Sequence, residues 1–218
     1  NPLLKEVTFD LDSFKTLAMV CFDPEIFVVP PTSDYQTWEE FVAYAKENTV
    51  KVATPGHSTS HHIAAIQLAK EYGLKFEYLH NDSASVQMQQ LMGGHCDAAM
   101  MAVSETVSQI NDGTVIGLAV GAEERIEDIP EIPTFKELGG TMVSGAFRGY
   151  ACPAGVPDDV YQVLCDEFEA IATSEKFINS MKEAAIPYSY RNAEDFQEYA
   201  NQCYKDIEAL VPELTAEQ

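Results

Sequence analysis

Two apolar rhythms alternate along the chain. The runs LAMVCF (17–22) and EIFVVPP (25–31) are almost continuously apolar and rich in strand formers, which predicts two buried strands divided at Asp23-Pro24. In TWEEFVAYAKEN, Trp38, Phe41, Val42 and Ala45 stand at i, i+3, i+4 and i+7, the spacing of a helix that buries one face. Thr37, followed three residues later by Glu40, gives that helix a capping box. Residues 50–54 read as a strand and 61–72 as a helix, with Ala65, Leu68, Ala69 and Tyr72 on one side and Gly73 as a left-handed cap.

The alternation continues through KFEYL (75–79), CDAAMM (96–101) and TVIGLAV (114–120) as strands. Between them lie SASVQMQQLM, a helix ended by Gly93, and a short helix over 104–111. Strands and helices in turn predict βαβ units: an α/β fold with a parallel-rich sheet flanked by helices. Beyond this the style changes. Residues 123–140 are acidic and broken by prolines, MVSGAFRGYAC reads as extended, and helical patterns follow near 157–172, 174–185 and 193–210. The last places Phe196, Ala200, Cys203, Ile207 and Leu210 at helical spacing. No internal repeat or low-complexity linker interrupts the order.

Charge narrows the partners. Thirteen Lys and Arg against 35 Asp and Glu give a formal net charge of −22, so nucleic acid is excluded as a partner because phosphate binding needs clustered cations. Anionic membrane surfaces are disfavoured for the same reason, and an anionic ligand has to be drawn by local donors. The five cysteines show no CxxC spacing, which leaves zinc ribbons and dithiol redox sites unsupported and reads as small buried side chains. No apolar run approaches the roughly 20 residues that span a bilayer. The chain opens on Asn1-Pro2 without a leader pattern, as if cut from something longer.

The chemistry-bearing stretch is ATPGHSTSHHIAA (53–65), between a strand and a helix. Three readings fit it. A nucleophile elbow would use Ser58, but the motif has Ser60 where glycine belongs, no HGGG-type motif precedes it, and no histidine follows His95 to act as base in that fold's order. A metal site would use His57, His61 and His62, but HExxH is absent and His57 precedes the helix. An anion loop needs only the turn Pro55-Gly56, the hydroxyls of Ser58, Thr59 and Ser60, and the free N–H groups of a helix start. In an open parallel sheet that position is the carboxyl edge, where ligands bind. A plain helix cap explains the same residues.

Several stretches, in order, resemble the solute receptors of tripartite tricarboxylate transporters, the Bug family. They are FKTLAMVCFDPEIFVVPP, the 53–65 loop with His62-Ile63, LMGGHCDAAM, Ser104-Glu105 with Gly113, GLAVGAEERIEDIPEIPTFKELG, and FRGYACPAGVP with Phe147 at the family's tryptophan position. The resemblance covers nearly the whole chain. It implies a two-lobed, type II periplasmic-binding-protein-like fold that works outside the cytoplasm, in the periplasm of a two-membrane cell. Such a receptor captures a small carboxylate, passes it to membrane subunits, uses no cofactor or metal and performs no catalysis. A ligand-sensing regulatory domain of the same fold is the alternative.

Carried onto this chain, the resemblance assigns 30–145 to a complete second lobe, and 1–29 with 146–218 to a partial first lobe whose opening Gly-rich stretch has no counterpart here. The implied ligand contacts are Thr54, Gly56, Ser58, Thr59, Ser60, Ser83, Ala84, Ser104, Phe147 and Arg148. Asn81-Asp82-Ser83 stands where the family carries Tyr-Lys-Gly, which removes a cation, and Met101 stands where some members carry an aspartate. Arg148 is the one basic residue near the implied hinge and fits a salt bridge to a ligand carboxylate. A partial lobe leaves apolar faces short of cover, Val160, Leu164, Phe168, Phe196 and Ile207 among them, so a homodimer is expected.

Overall fold

A computed structural model describes residues 2–4 and 6–216 of the chain. Its strands and helices, in order, are β1 (Phe14–Val29), α1 (Trp38–Glu47), β2 (Thr49–Thr54), α2 (Ser60–Tyr72), β3 (Lys75–His80), α3 (Ala84–Met92), β4 (Ala98–Ala102), α4 (Val103–Asn111) and β5 (Ile116–Val120). They continue as β6 (Gly145–Pro153), α5 (Asp158–Ala172), α6 (Glu175–Glu183), β7 (Tyr188–Arg191), α7 (Ala193–Glu208) and α8 (Val211–Ala216).

The two strands expected on either side of Asp23-Pro24 are one strand, β1, of 16 residues. Proline lacks the N–H that a ladder needs. Here it falls between the residues that pair with β7, Met19 and Cys21, and those that pair with β4, from Glu25 onward, so neither ladder is broken.

The chain divides into two compact units, Pro24–Ala146 and Asn1–Asp23 with Phe147–Gln218. In the first, the strands lie in the order β3-β2-β4-β1-β5. β2 runs parallel to both β3 and β4, and the second half of β1 runs antiparallel to β4 and β5. Successive residues of a strand face opposite sides, and β1 uses both. Phe27 and Val29 join Trp38, Phe41, Val50 and Leu68 on one side. Ile26 and Val28 join Leu91, Met101, Val120 and Ile132 on the other. The capping box of Thr37 and Glu40 starts α1 as expected, and Gly73, at φ +66°, ends α2 in the left-handed conformation that costs glycine least.

The second unit is thinner. β6 and β7 both pair with β1, and the compact core there is Ala18, Val20 and Ala172, backed by Phe168, Phe177 and Tyr190. Helix α5 buries only Ala172, α6 buries no residue fully, and α7 buries only Phe196. Val160, Val163 and Ile171 on α5 are 46%, 59% and 54% exposed. Phe196 departs from the expectation that it lacks cover: it closes over Gly149, where an added Cβ would come within 2.4 Å of its ring and 2.7 Å of the Ala18 carbonyl. Two short elements, β7 and α8, are absent from the periodicity reading because 4 and 6 residues hold too little pattern.

Candidate functional site

Three parallel strands of the Pro24–Ala146 unit end side by side, and each is followed by a helix. β2 ends at Thr54, which is fully buried, and its carbonyl accepts from both the N–H (2.9 Å) and the Nδ2 (3.1 Å) of Asn81, just past β3. Thr59 is the N-cap of α2, its hydroxyl accepting from the His62 N–H at 3.4 Å and donating to the Gly56 carbonyl at 2.9 Å. Ser83 caps α3, which opens at Ala84, by accepting from the Val86 N–H at 3.3 Å. Ser104 sits exposed in the first turn of α4. The starts of α2, α3 and α4 therefore gather at one edge of the sheet, and their dipoles favour an anion there.

A histidine–glutamate contact ties two of these helix starts together. His61 places Nε2 3.0 Å from Glu105 Oε2 and Nδ1 3.6 Å from Glu25 Oε1, and Glu105 also accepts from the Ala102 N–H at 3.2 Å. Glu25, on β1, is fully buried. Neither glutamate is legible as a site residue in sequence, because the pairing is made by strand order: β1 lies next to β4, from which α4 springs. Met101 lies in the core beside Ile26 and Val120.

The hydroxyls in the loop are engaged with imidazoles. The Ser58 N–H donates to His62 Nδ1 at 3.0 Å, Ser58 Oγ lies 2.7 Å from His57 Nδ1, and Ser60 Oγ lies 3.2 Å from His61 Nδ1. Ser58 has φ +60°, a left-handed conformation that costs a serine about 1 kcal/mol or more. Thr54 Oγ1 lies 2.7 Å from His80 Nδ1. The rings of His57, His62 and His80 pack together, with centroids 5.1 Å (57 to 62), 4.6 Å (62 to 80) and 5.5 Å (57 to 80) apart, and Tyr78 stands edge-on to His62 at 4.7 Å. Among the described residues no group of three or more His, Cys, Asp or Glu is arranged to hold a metal ion. The signal for this cluster was the alternation in KFEYLH, which sends Tyr78 and His80 to the same face of β3.

The remaining implied contacts, Phe147 and Arg148, belong to the other unit. Phe147 meets Phe196 and Tyr199 edge to face, with centroids 5.8 and 5.3 Å away, and Arg148 donates from Nη1 to Cys21 Sγ at 3.3 Å.

Among solved structures, the chain is similar to a TctC solute-binding protein from Polaromonas. The TM-score is 0.85 at 26% identity, over 97% of this chain and 72% of that one. The periplasmic binding protein BugD shares the fold at TM-score 0.73 and 22% identity, over 93% of this chain and 69% of that one. The architecture is that of a periplasmic-type solute-binding protein. Residues 1–215 match the tripartite tricarboxylate transporter family receptor, TctC, and the chain belongs to that family. A curated relative, the UPF0065 protein in the gbd 5′ region of Cupriavidus necator, is 29% identical over 192 residues, 86% of this chain. The chain spans 58% of that relative's length and about half of the others it matches, such as the 50% for the Pseudomonas sp. protein of the tcbD–tcbE intergenic region.

The buried imidazole has a consequence for stability. Burial first, then the facing His80 and His57, lower the pKa of His62 from 6.5 to about 3. The unfolded chain takes that proton near pH 6.5 and the folded chain refuses it until about pH 3, so this contribution is complete above pH 6.5 and declines as the pH falls toward 3. Between pH 6.5 and 5 the loss is about 2 kcal/mol at most. Urea unfolding at the two pH values should show it in the wild type, and His62→Asn should remove that part of the slope.

Proposed function

We propose that this chain is the ligand-capturing part of an extracytoplasmic receptor that takes up a small carboxylate and hands it to the membrane subunits of a tripartite transporter. The gathering of the α2, α3 and α4 starts at one sheet edge carries the reading. No Lys or Arg stands in residues 54–60, 81–84 or 101–104, so a carboxylate there is met by N–H groups, hydroxyls and helix dipoles, not by a fixed cation. In this reading Thr54, Gly56, Ser58, Thr59, Ser60, Ser83, Ala84 and Ser104 of the Pro24–Ala146 unit serve the ligand. No covalent step, cofactor or metal is required. Among the described residues no helix is long and apolar enough to cross a membrane.

Two structures with this fold define the probes: one from R. palustris is described with adipate and another, MatC of Rhodopseudomonas palustris, with malate. Calorimetric titration with malate, adipate and citrate should give saturable binding to at least one. Ser58→Ala should weaken it up to about tenfold, the strength of one ordinary hydrogen bond. A flat response to all three at millimolar concentration would refute the reading.

One observation favours a different activity: the left-handed Ser58 with its hydroxyl 2.7 Å from His57 is the geometry of a serine nucleophile beside a base. In the hydrolase order, however, the histidine base follows the nucleophile late in the chain, and no histidine follows His95. A fluorophosphonate probe should therefore leave Ser58 unlabelled, and labelling would establish the hydrolase.

The thin unit bears on assembly. We infer that the exposed stripe of Val160, Val163 and Ile171 on α5 is covered by a second copy of the chain, since α5 and α6 together bury a single residue. Light scattering at micromolar concentration should give the dimer mass. A soluble monomer would sink the idea, and Val163→Glu should convert dimer to monomer.

A further inference from the structure

The carboxylate reading gives the packed imidazoles of His57, His62 and His80 no task, yet each is bonded to the stretch that would hold the ligand. His57 bonds the Ser58 hydroxyl, His62 the Ser58 N–H, and His80 the Thr54 hydroxyl. His62 is the fully buried member, and its bond has a definite polarity. A backbone N–H can only donate, so Nδ1 of His62 must offer a lone pair and its ring must carry the proton on Nε2. A proton on Nδ1 would set two donors against each other across 3.0 Å.

We propose that His62 is a positioning residue for the ligand loop: buried against the His57 and His80 rings, it accepts from the Ser58 N–H and so holds Ser58 in the left-handed conformation. The inference rests on the carboxylate reading for its effect on the ligand, but the hold on Ser58 is a property of the loop alone.

The groups facing His62 come from each element around it. His57 reaches it from the loop, Tyr78 and His80 from β3, and on α2 itself the adjacent His61 is engaged by Glu25 of β1 and Glu105 of α4. Charge on His57 or His80, with ring centres 5.1 and 4.6 Å from His62, repels a proton on His62. Burial is the larger cause and acts in the same direction, so His62 resists the proton even more. The loop bond thus survives well below the pH at which a free imidazole would surrender it. Turning Ser58 out of its left-handed state would swing the peptide between His57 and Ser58 and re-aim the N–H groups at the start of α2.

The test uses the full chain, with malate as the probe. In nitrogen-edited spectra of the wild type, His62 should show the Nε2–H tautomer, and the Ser58 amide should stay protected from exchange between pH 8 and pH 5. His62→Leu should speed that exchange about tenfold, the worth of one ordinary hydrogen bond. His62→Asn, whose Oδ1 can take the place of Nδ1, should restore it, which loss of packing alone would not allow. If His62→Leu does not fold, the double variant His57→Gln, His80→Gln decides, because removing the repelling rings should move the loss of Ser58 protection to higher pH. Malate affinity should follow Ser58 protection across the set.

Unchanged Ser58 protection in His62→Leu, a proton on Nδ1 at neutral pH, or a double variant whose Ser58 protection is lost at lower pH than in the wild type would each overturn the assignment. So would lost Ser58 protection with undiminished malate affinity. A wild type that ignores malate yet shows the expected Ser58 behaviour would defeat the carboxylate reading while upholding the hold of His62 on the loop.

Discussion

The parallel pairing of β2 with both β3 and β4 is the constraint on which the candidate site depends. Thr49 to Thr54 face Lys75 to His80 residue for residue, and Val52 and Ala53 face Ala98 and Ala99. Because all three strands run the same way, their ends coincide, and the helices that must return the chain all start from one edge. A shift of one residue in either ladder would turn alternate side chains to the opposite face. Thr54 would then lose His80, and the imidazole cluster would not form. The buried Gln87 reinforces this alignment from α3, its amide donating to the Ala53 carbonyl at 2.8 Å and to the Met100 carbonyl at 2.6 Å, one bond to each of two neighbouring strands.

Much of the Pro24–Ala146 unit was legible in sequence because its helices each carry a local signature and a buried face. Thr37 with Glu40 announced α1, and Gly73 announced the end of α2. The continuity of β1 was not legible, since Pro24 ordinarily breaks a strand and only the change of pairing partner at that point excuses it. The site divides in the same way. Ser58, Thr59 and Ser60 stand out by their place between strand and helix. The Glu25–His61–Glu105 pairing and the 57–62–80 cluster join residues far apart in sequence, and their proximity is fixed by strand order and register, which no short window contains.

The two units differ in kind. One buries β1 on both faces and closes aromatic side chains around Phe27. The other has amphipathic helices whose apolar stripes reach solvent, and its most enclosed large ring, Phe196, depends on the absence of a side chain at Gly149.

Trp38, the sole tryptophan, lies deep in the richer of the two cores, with ring centres of Phe135, Tyr72 and Phe27 at 5.0, 5.2 and 5.5 Å. The one indole of the molecule thus lies in a single unit. Its emission reports whether the aromatic cage around α1 is intact, a cage whose rings at Phe27, Tyr72 and Phe135 all belong to that unit. A single smooth indole transition would describe the surroundings of Trp38, and the tyrosines of the thinner unit, among them Tyr188, Tyr190 and Tyr199, are the reporters of its own melting.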